Sequence, residues 1–370
     1  MLYLDNAATT FPKPKSVRRA VNQCIAEYCG NPARSSHFYS LRASEEVFLA
    51  RETIAAAFGI NEPERVVFTQ NATHSLNLAI KCLITTPCHV LISDVEHNSV
   101  LRPIIKLSNT LGISFSIFST TGDLEKNLRL SLRDDTKAII STLASNVTGE
   151  PISARTVSDF AKQHGLVSIV DASQIAGHRA IDLAATPFTA LCAPGHKGLF
   201  GIQGAGFCIF AKNVVTDTII EGGSGSASLS TYMPEDLPER LEAGTLPTPS
   251  IVALRRGIEF TEREGVGSIS LRLDKEIAHF KERLGAIKNC EIFGGECGIL
   301  SFRIKDVSCD ALAQRLDDAG ICVRSGLHCA PLVHKKLGTL NTGLIRISLS
   351  ALSGKRDADT FYSALKGILY

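Results

Sequence analysis

The sequence predicts an α/β fold, a mostly parallel sheet covered by helices, followed by a smaller α+β unit. Between about residue 65 and residue 210, short apolar runs (RVVFT, HVLIS, KAIIST, LVSIV, FTALC and GAGFCIF) alternate with segments such as THSLNLAIKCL and ARTVSDFAKQHG, whose apolar residues recur every three or four positions. At 370 residues the chain also exceeds the size at which one core keeps growing, so two domains are expected.

The residues that follow each run point to a site. RVVFT leads into Gln70, Asn71 and Thr73, HVLIS into Asp94, Glu96 and His97, and KAIIST into Ser145 and Asn146; LVSIV ends on Asp171, and FTALC leads into Gly195, His196 and Lys197. Open α/β sheets bind ligands beyond the carboxyl ends of their strands, so five consecutive strands are expected to deliver polar groups to one rim. Residues 16–250 are read as this large domain, preceded by an N-terminal segment, 1–15, near the site. GTLPTPS at 244–250 reads as a linker, because two prolines and a glycine interrupt a helix there. A small domain, 251–370, is expected after it. An amphipathic stretch from Ser250 to about Gly285, broken near Gly265 and Gly267, comes first, and strands at GILSFRI and LIRISLS then flank a helix at CDALAQRLDDAG.

Composition excludes several classes. The 39 basic and 37 acidic residues leave a net charge of +2, with no basic run interleaved with aromatics, which argues against nucleic acid as a partner. MLYLDNAATT lacks the features of a secretory signal and no apolar run approaches the ~18 residues of a membrane span, so no membrane association and a cytoplasmic location are expected. The eleven cysteines are odd in number and form no Cys-x-x-Cys pair, which argues against a disulfide scaffold or a metal site.

Lys197 lies in APGHKGLFG, after a strand and among glycines. Either it is a surface lysine, or its amine forms a Schiff base with an aldehyde cofactor. Asp171 either caps a following helix or, 26 positions before Lys197, keeps a cofactor ring nitrogen protonated. Asn71, Ala72 and Thr73 open a helix, where free amides and a hydroxyl favour phosphate, although simple capping explains them equally. No Gly-x-Gly-x-x-Gly or Gly-x-x-x-x-Gly-Lys-Ser/Thr loop marks a nucleotide site. His97 is a candidate for stacking on a flat cofactor or moving protons, and Arg324 and Arg346 for gripping a carboxylate; structural roles are the alternative for each. Cys329, in VRSGLHCAPLVHKKLG, is the best nucleophile candidate. A free thiol is only about 3% thiolate at pH 7, and Arg324, His328, His334 and two lysines close in sequence are expected to raise that fraction.

Ten collinear segments (YLDNAATT, NPARSSH, TQNATHSLN, EHNS, SNVTGE, DASQ, GHK, EAGT, RSGLHCAP and GLIRISL) together resemble the cysteine desulfurase and selenocysteine lyase family, within the class V aminotransferase group of pyridoxal 5'-phosphate (PLP) enzymes. The resemblance implies PLP fold type I: a large domain with a mostly parallel seven-stranded sheet covered by helices, plus a smaller α+β C-terminal domain carrying the cysteine loop. It implies that Lys197 holds PLP covalently, Asp171 pairs with the pyridine nitrogen, Gln174 bonds the phenolic oxygen and His97 stacks on the ring. Ala72, Thr73 and His196 would take the phosphate, with Thr245 supplied by the other subunit of a homodimer. Asn146 and Arg346 would hold the substrate carboxylate, with Arg324 near the cysteine loop. Cys329 would receive sulfur from L-cysteine as a persulfide and pass it to an acceptor protein or thiol. Two departures stand out. Pro194 occupies a position where relatives commonly carry a hydroxyl, and Leu327 stands where the related short-loop group has a histidine. A selenocysteine lyase acting on L-selenocysteine would use the same residues. An aminotransferase or C–S lyase on this fold would leave Cys329 incidental.

Overall fold

A computed structural model of the chain describes residues 1–32, 36–226 and 228–370. Ala33, Arg34 and Ser35 of the NPARSSH segment lie outside them. Strand β1 (Leu2–Tyr3) opens the chain, and helices α1 (Lys15–Glu27) and α2 (Phe38–Ala57) follow. The large sheet is laid down as β2 (Val66–Thr69), β3 (His89–Ser93), β4 (Ser114–Phe118), β5 (Thr136–Thr142), β6 (Val167–Asp171), β7 (Ala190–Pro194) and β8 (Gly206–Phe210). Helices α3 (Ala72–Leu83), α4 (Asn98–Leu111), α5 (Leu124–Ser131) and α6 (Ala154–Gln163) fill the connections from β2 to β6. Long helices α7 (Thr248–Glu264) and α8 (Val266–Gly285) lead to β9 (Cys290–Glu296), β10 (Ile299–Ile304), α9 (Cys309–Asp318), β11 (Ile321–Cys322), β12 (Arg324–Gly326), α10 (Pro331–Leu337), β13 (Leu344–Ser348) and α11 (Asp357–Leu369).

The seven strands lie in the order β2-β8-β7-β6-β5-β3-β4. Neighbours from β7 to β4 are parallel, while β8 runs antiparallel to both β7 and β2. Two reversals cancel, so β2 points the same way as β7, and only β8 opposes the rest. The expected rim is therefore real, but its strands are not consecutive. In space β8 separates β2 from β7, and along the chain β4 separates β3 from β5. The sequence reading missed β4 because its SFSIF is a half-exposed edge with no continuous apolar run. The FTALC strand begins two residues late, at Ala190, and reaches Pro194.

Alternation along these strands feeds two cores. Leu91, Ile139, Val170 and Leu191 face one cluster, covered by Ile54 of α2, Val157 of α6 and Leu254 of α7. Val90, Ile140, Ile169 and Cys192 face the other, under Leu76 of α3 and Ile104 of α4. The presumed linker is a helix start instead: Pro247 occupies the N-cap of α7 and Pro249 its first turn, where a missing N–H costs nothing. Because Ile251, Leu254 and Ile258 pack under the large sheet, α7 belongs with it, and the change of unit falls at Gly265, whose φ of +77° ends α7. Gly267 lies within α8.

The C-terminal unit is an antiparallel sheet, β12-β13-β10-β9, with a core formed by residues such as Leu273, Phe302, Leu316, Ile345 and Phe361. The N-terminal segment joins both units: β1 pairs with β11, Leu4 enters the small core, and Thr10 bonds the backbone of His196 and Lys197. Among the described residues no helix is long and apolar enough to cross a membrane, and no cluster of ligands suits a metal.

Candidate active site

At the carboxyl rim of the large sheet lies a cavity of about 500 Å³. Eight of the residues expected at the site line it: Ala72, Thr73, His97, Asn146, Asp171, Gln174, His196 and Lys197. They arrive from the ends of β2, β3, β5, β6 and β7, which explains how residues scattered over 126 positions meet.

One end of the cavity is built for an anion. Asn71 caps α3 by accepting from the His74 amide at 3.0 Å, while first-turn amides of the helix lack helical acceptors. Nearby, His196 Nδ1 is buried without a partner. Burial, then the charges of Lys197 and Lys13, lower the His196 pKa to about 4, so the ring is neutral. The backbone carbonyl of His196 accepts from Thr9, Thr10 and Lys13, fixing the turn that precedes Lys197. Pro194 also lines the cavity, and the hydroxyls there come from Thr73, Ser99, Thr142 and Ser173.

Midway, Asp171 is 3% exposed, and its Oδ1 accepts from the Ser173 amide at 2.8 Å. A turn, not a helix, follows it, so helix capping does not explain this carboxylate. That turn passes so close to the Lys197 loop that a Cβ on Gly177 would sit 2.3 Å from the Gly198 carbonyl oxygen. Burial, then Arg346 and Arg324, lower the Lys197 amine from 10.5 to about 8, against the opposing pull of Asp171 and Asp5. Lys197 is no surface lysine.

His97 caps α4, with its Nδ1 accepting from the Ser99 amide at 3.1 Å. An acceptor nitrogen carries no proton, so the ring proton resides on Nε2; burial foremost lowers the pKa to about 4 and keeps the imidazole neutral. Gln174 donates from Nε2 to the Ala7 carbonyl at 3.3 Å. Asn146 donates to the His328 carbonyl at 2.7 Å, and its own carbonyl accepts from Arg346 at 3.0 Å. Arg346 is 3% exposed, pairs with Asp5 at 2.7 Å, and leaves Nε buried without a partner. Arg324 is half-exposed, with Asp5 at 3.9 Å.

Cys329 is exposed on the turn between β12 and α10. Its carbonyl accepts from the Asn98 amide at 2.8 Å, which pins the turn one residue beyond His97. Part of the cationic surroundings expected from sequence does not form. His328 and His334 are buried and stacked with ring centroids 5.7 Å apart. Burial foremost takes His328 down to about 3 and lowers His334 as well, so both are neutral. Lys336 is engaged by Asp94 at 3.0 Å. Charges close in sequence are drawn here into separate contacts. Thr245 is also apart from the rest: it is exposed and lines a second cavity, of about 380 Å³, with Asn31, Pro32 and Glu242.

The sequence reading missed Asp5, Thr10 and Lys13, which brace Arg346 and the Lys197 turn, and Thr142 and Ser173 in the cavity wall. Asp5, Thr10, Thr142 and Ser173 fall in the quoted runs and segments, and Lys13 falls in none.

Comparisons with known proteins place the chain in a family. Residues 2–361 match the family described as Aminotransferase class-V. A relative from Methanothermobacter thermautotrophicus named "Probable cysteine desulfurase" is 30% identical over 354 residues, covering 92% of this chain and 88% of its own. A namesake from Pyrococcus abyssi is 28% identical, covering 100% and 94%. The apo structure of a cysteine desulfurase from Thermococcus onnurineus superposes with a TM-score of 0.93 at 28% identity, over 100% of this chain and 94% of that one. Sequence and fold agree along almost the entire length, and the chain belongs to the class-V aminotransferase family.

Proposed function

We propose that the chain is a PLP-dependent cysteine desulfurase that converts L-cysteine to L-alanine and takes the sulfur onto Cys329. The observation that carries this reading is the meeting of Lys197, the Asp171 carboxylate and the α3 N-terminus in one cavity, where burial lowers the Lys197 amine to about 8. PLP fits these residues. The unpartnered His196 nitrogen and the α3 amides would take its phosphate, Asp171 its ring nitrogen, Gln174 its phenolic oxygen, His97 its face and Lys197 its aldehyde. When bound, it supplies an electron sink for charge developing at the substrate Cα.

The chain's own groups do the rest. The unpartnered Arg346 Nε, with Asn146 beside it, would donate to the substrate carboxylate. Lys197, with a pKa of about 8, is partly neutral near pH 7 and can remove the α-proton. The Cys329 thiolate then bonds to the substrate sulfur as the Cβ–S bond breaks; Cβ takes up the proton of the substrate thiol, Cα recovers the proton held by Lys197, L-alanine leaves, and a persulfide remains for an acceptor protein or thiol. L-Selenocysteine would meet the same groups. Alanine and sulfide from L-cysteine, with one added sulfur on the Cys329 peptide by mass spectrometry, are the expected products; pyruvate and ammonia would mean elimination instead.

A homodimer accompanies this reading. The isolation of Thr245 from the cavity supports it, as do the exposed Phe38, Tyr39, Leu41 and Phe48 on α2. Sedimentation should find a dimer, and Thr245→Ala should weaken PLP binding in it; a fully active monomer at high dilution would contradict both. Eleven free thiols suit a reducing, cytoplasmic setting.

A further inference from the structure

Glu96 is a buried carboxyl that the mechanism above does not use. It lies between β3 and His97 with no exposure to solvent. Its Oε1 receives two donors, the Ser93 hydroxyl at 2.5 Å and the Thr142 amide at 2.7 Å, while its Oε2 is buried with no partner at all. Its charged neighbour is Asp171, a second carboxylate rather than a cation. An ionised carboxylate in this place would leave a bare anionic oxygen in a dry site beside another anion, the arrangement burial disfavours most. A carboxylic acid with its proton on Oε2 fits the same contacts at lower cost.

Two of these contacts reach the cavity wall. Thr142 ends β5, lines the cavity, and its hydroxyl donates to the Ala144 carbonyl at 2.9 Å and to the Asp171 carbonyl at 3.3 Å. His97 follows Glu96 directly and caps α4. Glu96 therefore joins the strand end that presents His97 to the strand ends that present Thr142 and Asp171.

We infer that Glu96 is a positioning residue, held as a neutral carboxylic acid, that sets His97 against the face of the bound cofactor. This rests on the reading that His97 stacks on PLP. Burial as the main cause, with Asp171 adding to it, raises the Glu96 pKa to about 8, in keeping with the neutral form. The sign of the linkage follows. A carboxyl whose folded pKa lies above its unfolded one stabilises the fold fully below about 4.5 and loses that contribution as pH rises through about 8.

The test compares the holoenzyme with Glu96→Gln, Glu96→Ala and His97→Ala, reading the visible circular dichroism of bound PLP, its dissociation constant, and Tm against pH. Glutamine offers one carbonyl oxygen to the same two donors and should keep the dichroism. Alanine leaves the Thr142 amide unpaired and should weaken PLP binding on the order of tenfold or more, with altered dichroism. Between pH 5.5 and 8.5 the wild-type Tm should fall relative to that of Glu96→Gln. Glutamine behaving like alanine, or a wild-type Tm that keeps a constant offset from that of Glu96→Gln across this range, would show Glu96 acting as an anion and overturn the inference. If His97→Ala changes dichroism and affinity but Glu96→Ala does not, the positioning role alone fails. If His97→Ala changes neither, the stacking reading fails and the inference falls with it. Should Glu96→Ala not fold, the Glu96→Gln comparison across pH still decides.

Discussion

Lys197 and Cys329 are the two reactive groups of the proposed mechanism, and the chain holds them in opposite ways. Lys197 stands beyond the end of a central strand, in a turn braced by three residues that donate to the His196 carbonyl, and burial retunes its amine. Cys329 stands on a short turn of the small unit, exposed, with His328 and itself at φ of +51° and +56°. Two consecutive non-glycine residues in the left-handed region cost energy, and the turn persists because Asn98 and Asn146 bond its carbonyls. In the proposed mechanism the base stands at the end of a strand buried on both faces, and the sulfur receiver is left exposed, where a second molecule can reach it.

The contrast breaks most completely at Lys197. Lys197→Ala should remove both the borohydride-reducible link to PLP and all alanine production, and a reducible link surviving in the variant would mean that another amine does the work. Cys329→Ser should lower alanine production from L-cysteine by orders of magnitude while leaving cofactor absorbance intact, since the side chain stands outside the wall of the cavity. Normal desulfuration by that variant, or sulfur found on Cys322, would assign the thiol role elsewhere. The smallest effect concerns pH. Only a neutral amine captures an aldehyde, so the rate at which apoprotein takes up PLP should climb through about pH 8, well below the 10.5 of an ordinary lysine. Cys329→Ser should not move that profile; a midpoint near 10 would mean that the Lys197 amine is wet.

The sheet and its rim were legible because strands buried on both faces read as continuous apolar runs, and what ends them was printed next in the sequence. β4 was not legible, since an edge strand needs no such run. Nor was α7, because proline at a helix start and proline in a linker look alike locally. At the site, the groups delivered by strands came together as expected. What held only in part was charge inferred from neighbours in sequence: His328, His334 and Lys336 lie within seven residues of Cys329, yet burial neutralises the first two and Asp94 holds the third. Asp5 was invisible because its partner, Arg346, is 341 positions away.

That same separation makes the site a report on synthesis. Asp5 meets Arg346, and the Ala7 amide and Asn6 side chain bond Ser348, so the first and last parts of the chain share one wall. A ribosome has released nearly everything before these partners exist together. A chain that stopped short of residue 329 could form the large sheet and even gather Lys197 and Asp171, yet it would lack Cys329 and the Arg346 that Asp5 faces.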